Sequence, residues 1–391
     1  MRILIAPDKF KRSLDAREVA ENIAKGLRDV LPNAKIDIVP MADGGEGTVE
    51  VISDALGGSW LQCKVHDPLG REIDACYAWI ENRNLAVMEM SEAAGMWRLS
   101  ESERDPLLAK TFGVGEMILN AVQCSARKII IGLGGSVTND GGFGMARALG
   151  FRFFADTKEL TGAVSELQNL TKIEAPVAAN ASPAWTVWPA NSKTQPTRLP
   201  PQLTIVAAVD VRSPLLGANG ATRVFGPQKG ASENTIEVLE RSLTKLADAV
   251  SKEFGLDYRD EAGAGAAGGL GFGLMSFCNA TIRPGFDVVA EAIGLESKMK
   301  DVDVVITGEG SLDRQTLGGK TPAGVARLAR KLGKPVFAIV GRAAKDREVR
   351  DVFDGVYENA RPGMSQQENM KRAAELLREN ARELAQELWG V

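Results

Sequence analysis

Residues 303–340 read DVVITGEGSLDRQTLGGKTPAGVARLARKLGKPVFAIV, and their grammar decides the fold. Asp303-Val304-Val305-Ile306-Thr307 is a short β-branched run, which predicts a strand. Thr321-Pro322 opens a helix, because the N–H that proline lacks has no partner in a first turn anyway. Val325, Leu328 and Leu332 follow at helical spacing, and Gly333 and Pro335 stop the helix. Pro335–Val340 is the next strand. Alternating strands and helices imply a parallel sheet covered by helices.

Outward from this stretch the same grammar returns at both ends. Arg2–Ala6 predicts a strand, about Ser13 to Leu31 a helix with Ser13 as N-cap, and Ile36–Pro40 a strand. Asp354–Tyr357 reads as a short strand, and 366–389 as a helix with Leu377, Ala381, Leu384 and Leu388 on one face. The two ends together supply about five strands, whereas the N-terminal piece alone cannot make a domain. The expected class is therefore α/β with two domains. Residues 1–60 and 285–391 form a discontinuous flavodoxin- or Rossmann-like parallel-sheet domain, and 61–284 an inserted α/β domain. The insert has strands at 85–90, 128–132 and 203–209, and an amphipathic helix at about 233–254. Residues 175–192 carry no charge and 171–202 hold six of the 17 prolines. With Trp185 and Trp188 that segment reads as an irregular loop, with a surface flap or an oligomer contact as alternatives.

Composition bounds the function. The chain has 391 residues, a net charge of −4 and no apolar run near the roughly 18 residues of a membrane span. Neither a nucleic-acid nor a membrane partner is expected, and because the start reads as a strand rather than a signal peptide, a cytoplasmic protein is expected. The four cysteines stand far apart, so no disulfide framework or zinc knuckle is indicated. His66 is the single histidine, which disfavours a Ser-His-Asp triad or a multi-histidine metal site; it reads as part of a surface turn, 66–70.

The 41 glycines are concentrated, with 19 of them in 44–47, 132–144, 263–273 and 308–319. Such clusters let backbone N–H groups approach an anion, and four of them suggest phosphate handling. Residues 131–144, IGLGGSVTNDGGFG, run from a strand into a helix; Ser136, Thr138 and Asn139 add side-chain donors, and Asp140 a carboxylate for metal. No Gly-Lys-Ser/Thr follows, so this is not a Walker loop. Residues 41–48, MADGGEGT, follow a strand and place Asp43 and Glu46 among Gly44, Gly45 and Gly47. They suit magnesium held through water, hydroxyl orientation, or a plain polar turn. Residues 263–268 match G-x-G-x-x-G formally, but no strand precedes them. They read as a small-residue helix start that packs against backbone or a nucleotide. In 307–321 the tail looks like a P-loop, but Arg314 stands where its first glycine belongs; the loop still offers anion contacts at Thr321. Asp8, Lys9, Lys11 and Arg12 lie between the first strand and helix, where cations bind a carboxylate or phosphate. Asp210 ends another strand, where it suits a base or a turn cap.

Taken together, APDKFKRSL, MADGGEGT, GLGGSVTNDGGFGMARALG, VDVRSPLLGANGATRVFGPQKGA, GAGAAGGLG and ITGEGSLDRQTLGGKTP, in this order along nearly the whole chain, closely resemble the bacterial glycerate kinase family, which includes glycerate 2-kinases. Lys9 and Arg12 stand where the family often has other residues, as does Ala262. The resemblance implies ATP-dependent phosphorylation of D-glycerate, usually at the 2-hydroxyl, on two α/β domains with an intervening cleft. ATP and Mg²⁺ are then the cofactors, D-glycerate is the substrate and a homodimer is compatible. On this reading Gly134, Gly135, Ser136, Thr138, Asn139, Lys229, Gly268 and Gly269 hold ATP. Lys11, Arg12, Asp43, Gly44, Gly45, Glu309, Gly310 and Asp313 meet the substrate. Asp210, Lys11 and Asp8 carry catalysis, with Asp43 and Asp140 as magnesium ligands. Glycerate 3-kinase, a related hydroxy-acid kinase, or a non-catalytic nucleotide- or phosphometabolite-binding regulator are the alternatives, and a dehydrogenase stands further off.

Overall fold

A computed structural model of the chain describes residues 1–176 and 199–390; the Trp185 and Trp188 segment lies outside them. The described chain divides into two compact units, Met1–Ala55 with Pro284–Val391, and Leu56–Arg283.

The first unit is built on a five-stranded sheet in the order Gly355–Glu358, Val336–Val340, Val304–Thr307, Arg2–Ile5, Lys35–Ile38, with every pairing parallel. Numbered along this unit's own chain the order is 2-1-3-4-5, the flavodoxin-like arrangement. The helices Ala16–Val30 and Ala373–Trp389 pack with Ile3, Ile5, Val304 and Ile306 in one apolar cluster. Val19, Ile23 and Leu27 face that cluster and are fully buried, each stabilising by about 1.5–3 kcal/mol relative to exposure. Ala16–Val30 is capped by Asp15 and not by Ser13. The Asp15 carboxylate accepts from Glu18 N (2.7 Å) while Glu18 accepts from Asp15 N, a complete capping box. The Ser13 hydroxyl is spent on Met370 O (2.8 Å) instead.

The second unit has a six-stranded mixed sheet, ordered Thr281–Pro284, Thr204–Val209, Lys128–Gly132, Leu85–Glu89, Glu72–Ile80, Ser59–His66. Its three central strands are mutually parallel, and an antiparallel hairpin closes one edge. A small antiparallel sheet, Lys158–Glu159, Arg152–Ala155 and Lys172–Glu174, lies outside it. The helix Glu233–Phe254 is capped by Ser232, stopped by left-handed Gly255, and buries Leu239, Leu243, Leu246 and Val250. His66 ends its strand with Nδ1 2.9 Å from Glu116 Oε1, and the turn beyond it is organised by buried Asp67, which accepts from Leu69 N and Arg71 N. Among the described residues no helix is long and apolar enough to cross a membrane.

Candidate active site

In the first unit the direction of winding reverses between Arg2–Ile5 and Val304–Thr307, and ligands of such sheets bind beyond the carboxyl ends of the strands at that point. Two loops leave there. Asp8 N donates to Gly308 O (2.8 Å), and Met41 N to Pro7 O (2.9 Å), so the loops beginning at 6, 41 and 308 are tied together. Glycine makes the joins tight. A Cβ on Gly285 would lie 1.7 Å from Asp43 O, and one on Gly341 2.4 Å from Gly310 O.

These loops gather carboxylates. Asp8 accepts from Thr321 Oγ1 (2.6 Å) and Lys9 N (2.7 Å). Burial, and next the charge of Asp43, push its carboxyl up to about 7. Glu309, 9% exposed, accepts from Thr316 Oγ1 (2.5 Å), and burial lifts it to about 7 against the pull of Thr316 and Lys320. Asp8 and Asp313 also act on it electrostatically. Lys9 reaches across to Glu46, with Nζ 2.7 Å from Oε2 and 2.8 Å from the carbonyl oxygen. Lys11 and Arg12 are exposed on the same loop. Arg12 stands at φ 64°, a left-handed conformation that glycine adopts without strain. The expected substrate residues Lys11, Arg12, Asp43, Gly44, Gly45, Glu309, Gly310 and Asp313, and Asp8 expected in catalysis, thus share one end of one sheet.

In the second unit the loop after Lys128–Gly132 meets a buried lysine. Lys229 is 2% exposed; its Nζ donates to Ser136 Oγ (2.8 Å) and Thr138 O (2.7 Å) and pairs with no carboxylate among the described residues. Burial therefore drags its ammonium down to about 7, against the pull of Asp140. Asn139 Nδ2 donates to Thr222 Oγ1 (2.9 Å), while Asn139 Oδ1 and Thr138 Oγ1 are buried without a partner. Buried polar atoms left unpaired by protein cost free energy, so these two call for a partner from water or a ligand. Gly134 is half-buried and Gly135 exposed at φ 71°.

Two expectations change here. Asp140 is fully buried and accepts from Thr111 N (2.9 Å), Thr111 Oγ1 (2.9 Å), Gly142 N (3.1 Å) and Gly144 N (2.9 Å). Four protein donors occupy its oxygens, so it locks the loop onto the following helix and is no magnesium ligand. Gly268 and Gly269 hold two backbones together. A Cβ on Gly268 would sit 2.0 Å from Thr138 O, one on Gly269 2.9 Å from Gly141 Cα, and both residues are left-handed (φ 68° and 86°). The stretch 263–271 is thus the brace behind the 138–141 loop. Asp210 stands exposed just past Val209, on the strand beside Lys128–Gly132. Among the described residues no group of three or more His, Cys, Asp or Glu side chains converges as metal ligands. The sequence does not single out the hydroxyls of Thr222, Thr316 or Thr111.

A family model described as the glycerate kinase family matches residues 3–389. The chain is 41% identical over 386 residues to a glycerate kinase of Halalkalibacterium halodurans, covering 98% of this chain and 97% of that protein. It is 41% identical over 350 residues to the glycerate 2-kinase of Escherichia coli (strain K12), covering 88% and 86%. A crystal structure from Salmonella typhimurium LT2, named as a glycerate kinase 2, aligns with a TM-score of 0.83 at 38% identity, over 100% of this chain and 98% of that one.

Proposed function

Since the chain belongs to the glycerate kinase family and is a kinase of that kind, we propose that it transfers the terminal phosphoryl group of ATP to the 2-hydroxyl of D-glycerate, giving 2-phosphoglycerate and ADP. The observation that carries the phosphoryl-transfer reading is Lys229, a buried cation with neutral oxygen partners only, set in a glycine loop where the buried Thr138 hydroxyl also has no partner. Such a site is complete when an anion supplies the missing charge and acceptors. The name of the Escherichia coli relative supports position 2.

The assignment runs unit by unit. Lys229, Ser136, Thr138 and the backbone at Gly134 and Gly135 take the phosphates of the second unit's ligand. The hydroxy acid goes to the switch-point loops of the first unit, with Lys11, Arg12 and Lys320 as the nearby cations. The glycerate hydroxyl oxygen bonds to the γ-phosphorus, the bond to the β–γ bridging oxygen breaks, and the hydroxyl proton passes to a carboxylate. Asp8 suits that proton better than exposed Asp210, because a carboxyl near 7 is matched to a base working at neutral pH. Magnesium enters on the nucleotide as part of the substrate. The test is ADP release from ATP·Mg²⁺ with D-glycerate, L-glycerate, glycolate and lactate offered separately. Release with D-glycerate supports the reading, and nucleotide binding with no release on any acid would replace it with a regulator.

A further inference from the structure

The segment Gly95–Arg104 touches the phosphate loop at one end and the Lys229 turn at the other. Gly95 forms a β-bridge with Ser136, Met96 N donates to Gly135 O (2.8 Å) and Val137 N to Ala94 O (3.0 Å). At its far end, Gly230, left-handed at φ 96°, lies so close that a Cβ there would be 2.7 Å from Arg104 O. Arg104 folds back along the segment, its Nη2 3.4 Å from Met96 O. Its Nε is buried with no partner, and among the described residues the guanidinium has no carboxylate. An arginine stays charged at any working pH. A half-buried guanidinium with an unsatisfied donor thus sits on the segment that joins the phosphate loop to the turn of a buried lysine, and among the described residues neither cation forms an ion pair with a carboxylate. Thr138 Oγ1 adds another unpaired donor on the same loop.

We propose that Arg104 is a phosphate-binding residue of the nucleotide site, its guanidinium taking oxygens of the polyphosphate next to the Gly134–Asn139 loop and Lys229. The assignment rests on the ATP reading above and adds its second cation. A forked guanidinium sets the direction of a phosphate chain, which a lysine point charge does not.

The experiment compares wild type, Arg104→Gln and Arg104→Lys by KM for ATP, KM for D-glycerate, ADP affinity by calorimetry, and unfolding temperature. Arg104→Gln is expected to raise KM for ATP and weaken ADP by at least about 10-fold, the loss typical of a charged hydrogen bond. KM for D-glycerate should stay within about twofold, and the unliganded protein should unfold no earlier, since an unpaired charge has been removed. Arg104→Lys should fall between the two. Unchanged ADP affinity in either variant overturns the proposal, as does a loss that moves both KM values together with a lower unfolding temperature. A wild type that binds neither ADP nor tripolyphosphate would instead sink the ATP reading, and this one with it.

Discussion

Asp8 and Glu309 are held protonatable near neutral pH by burial, and the sign of the consequence is fixed. Both carboxyls sit at about 7 when folded, above their ordinary values of 3.8 and 4.5, so the folded protein holds protons that the unfolded chain releases. Their contribution is fully present below about pH 4 and is lost as pH rises through 7. Asp8→Asn should therefore raise stability far more at pH 8 than at pH 4, read as the urea midpoint. The same variant should cut kcat by about 10²-fold or more, because the proton acceptor is gone. Wild-type turnover in Asp8→Asn, with Asp210→Asn inactive, would return the role to Asp210. At this scale the sequence is legible for position, since Asp8, Asp43 and Asp210 each lie in a loop that follows a strand, as expected. It is misleading for Asp140, because nothing in the letters says that Thr111 and two glycine N–H groups already fill its oxygens. It is silent on Arg104, which lies in a polar run with no glycine signature.

Among the elements, the crossing of Ala16–Val30 with Ala373–Trp389 joins the two ends of the chain. Gly26 lies at that crossing, where a Cβ would meet Arg378 O at 2.3 Å and the Ala381 side chain at 2.8 Å. In an exposed helix Gly→Ala gains about 1 kcal/mol from propensity. Here the added carbon must push two backbones apart, and overpacking costs about 1–3 kcal/mol. Gly26→Ala is thus expected to destabilise, lowering the urea midpoint, and a raised midpoint would show that the helices separate freely. The long helix Glu233–Phe254 is legible to the residue because its apolar stripe, Ser232 cap and Gly255 stop agree. The hairpin Ser59–His66 and Glu72–Ile80 is not, since of its inward residues Cys63, Val65, Ala75 and Tyr77 only Val65 is β-branched. The glycine run 263–271 looks like a helix start, yet three left-handed residues, Ala267, Gly268 and Gly269, bend it into a brace.

For the whole molecule, the parallel-sheet α/β class is written in the alternation of strands and helices at both termini, and the structure shows it with the flavodoxin-like order. The family follows from long ordered motifs, several of which encode loops whose glycines bring backbone close to backbone, as at Gly142 and Gly268. What the motifs do not spell out is charge balance. Lys229, Arg104, Asp8 and Glu309 are each put in an environment that disfavours its charge or leaves it unpaired, and only the folded chain reveals it. Enolase decides whether the proposed phosphorylation of D-glycerate falls at position 2, since that enzyme takes 2-phosphoglycerate and not its 3-isomer. Purified protein with ATP·Mg²⁺, D-glycerate and enolase should give an immediate ultraviolet rise from phosphoenolpyruvate that matches ADP release. ADP release without that rise would contradict the position, and the absence of both would contradict the activity.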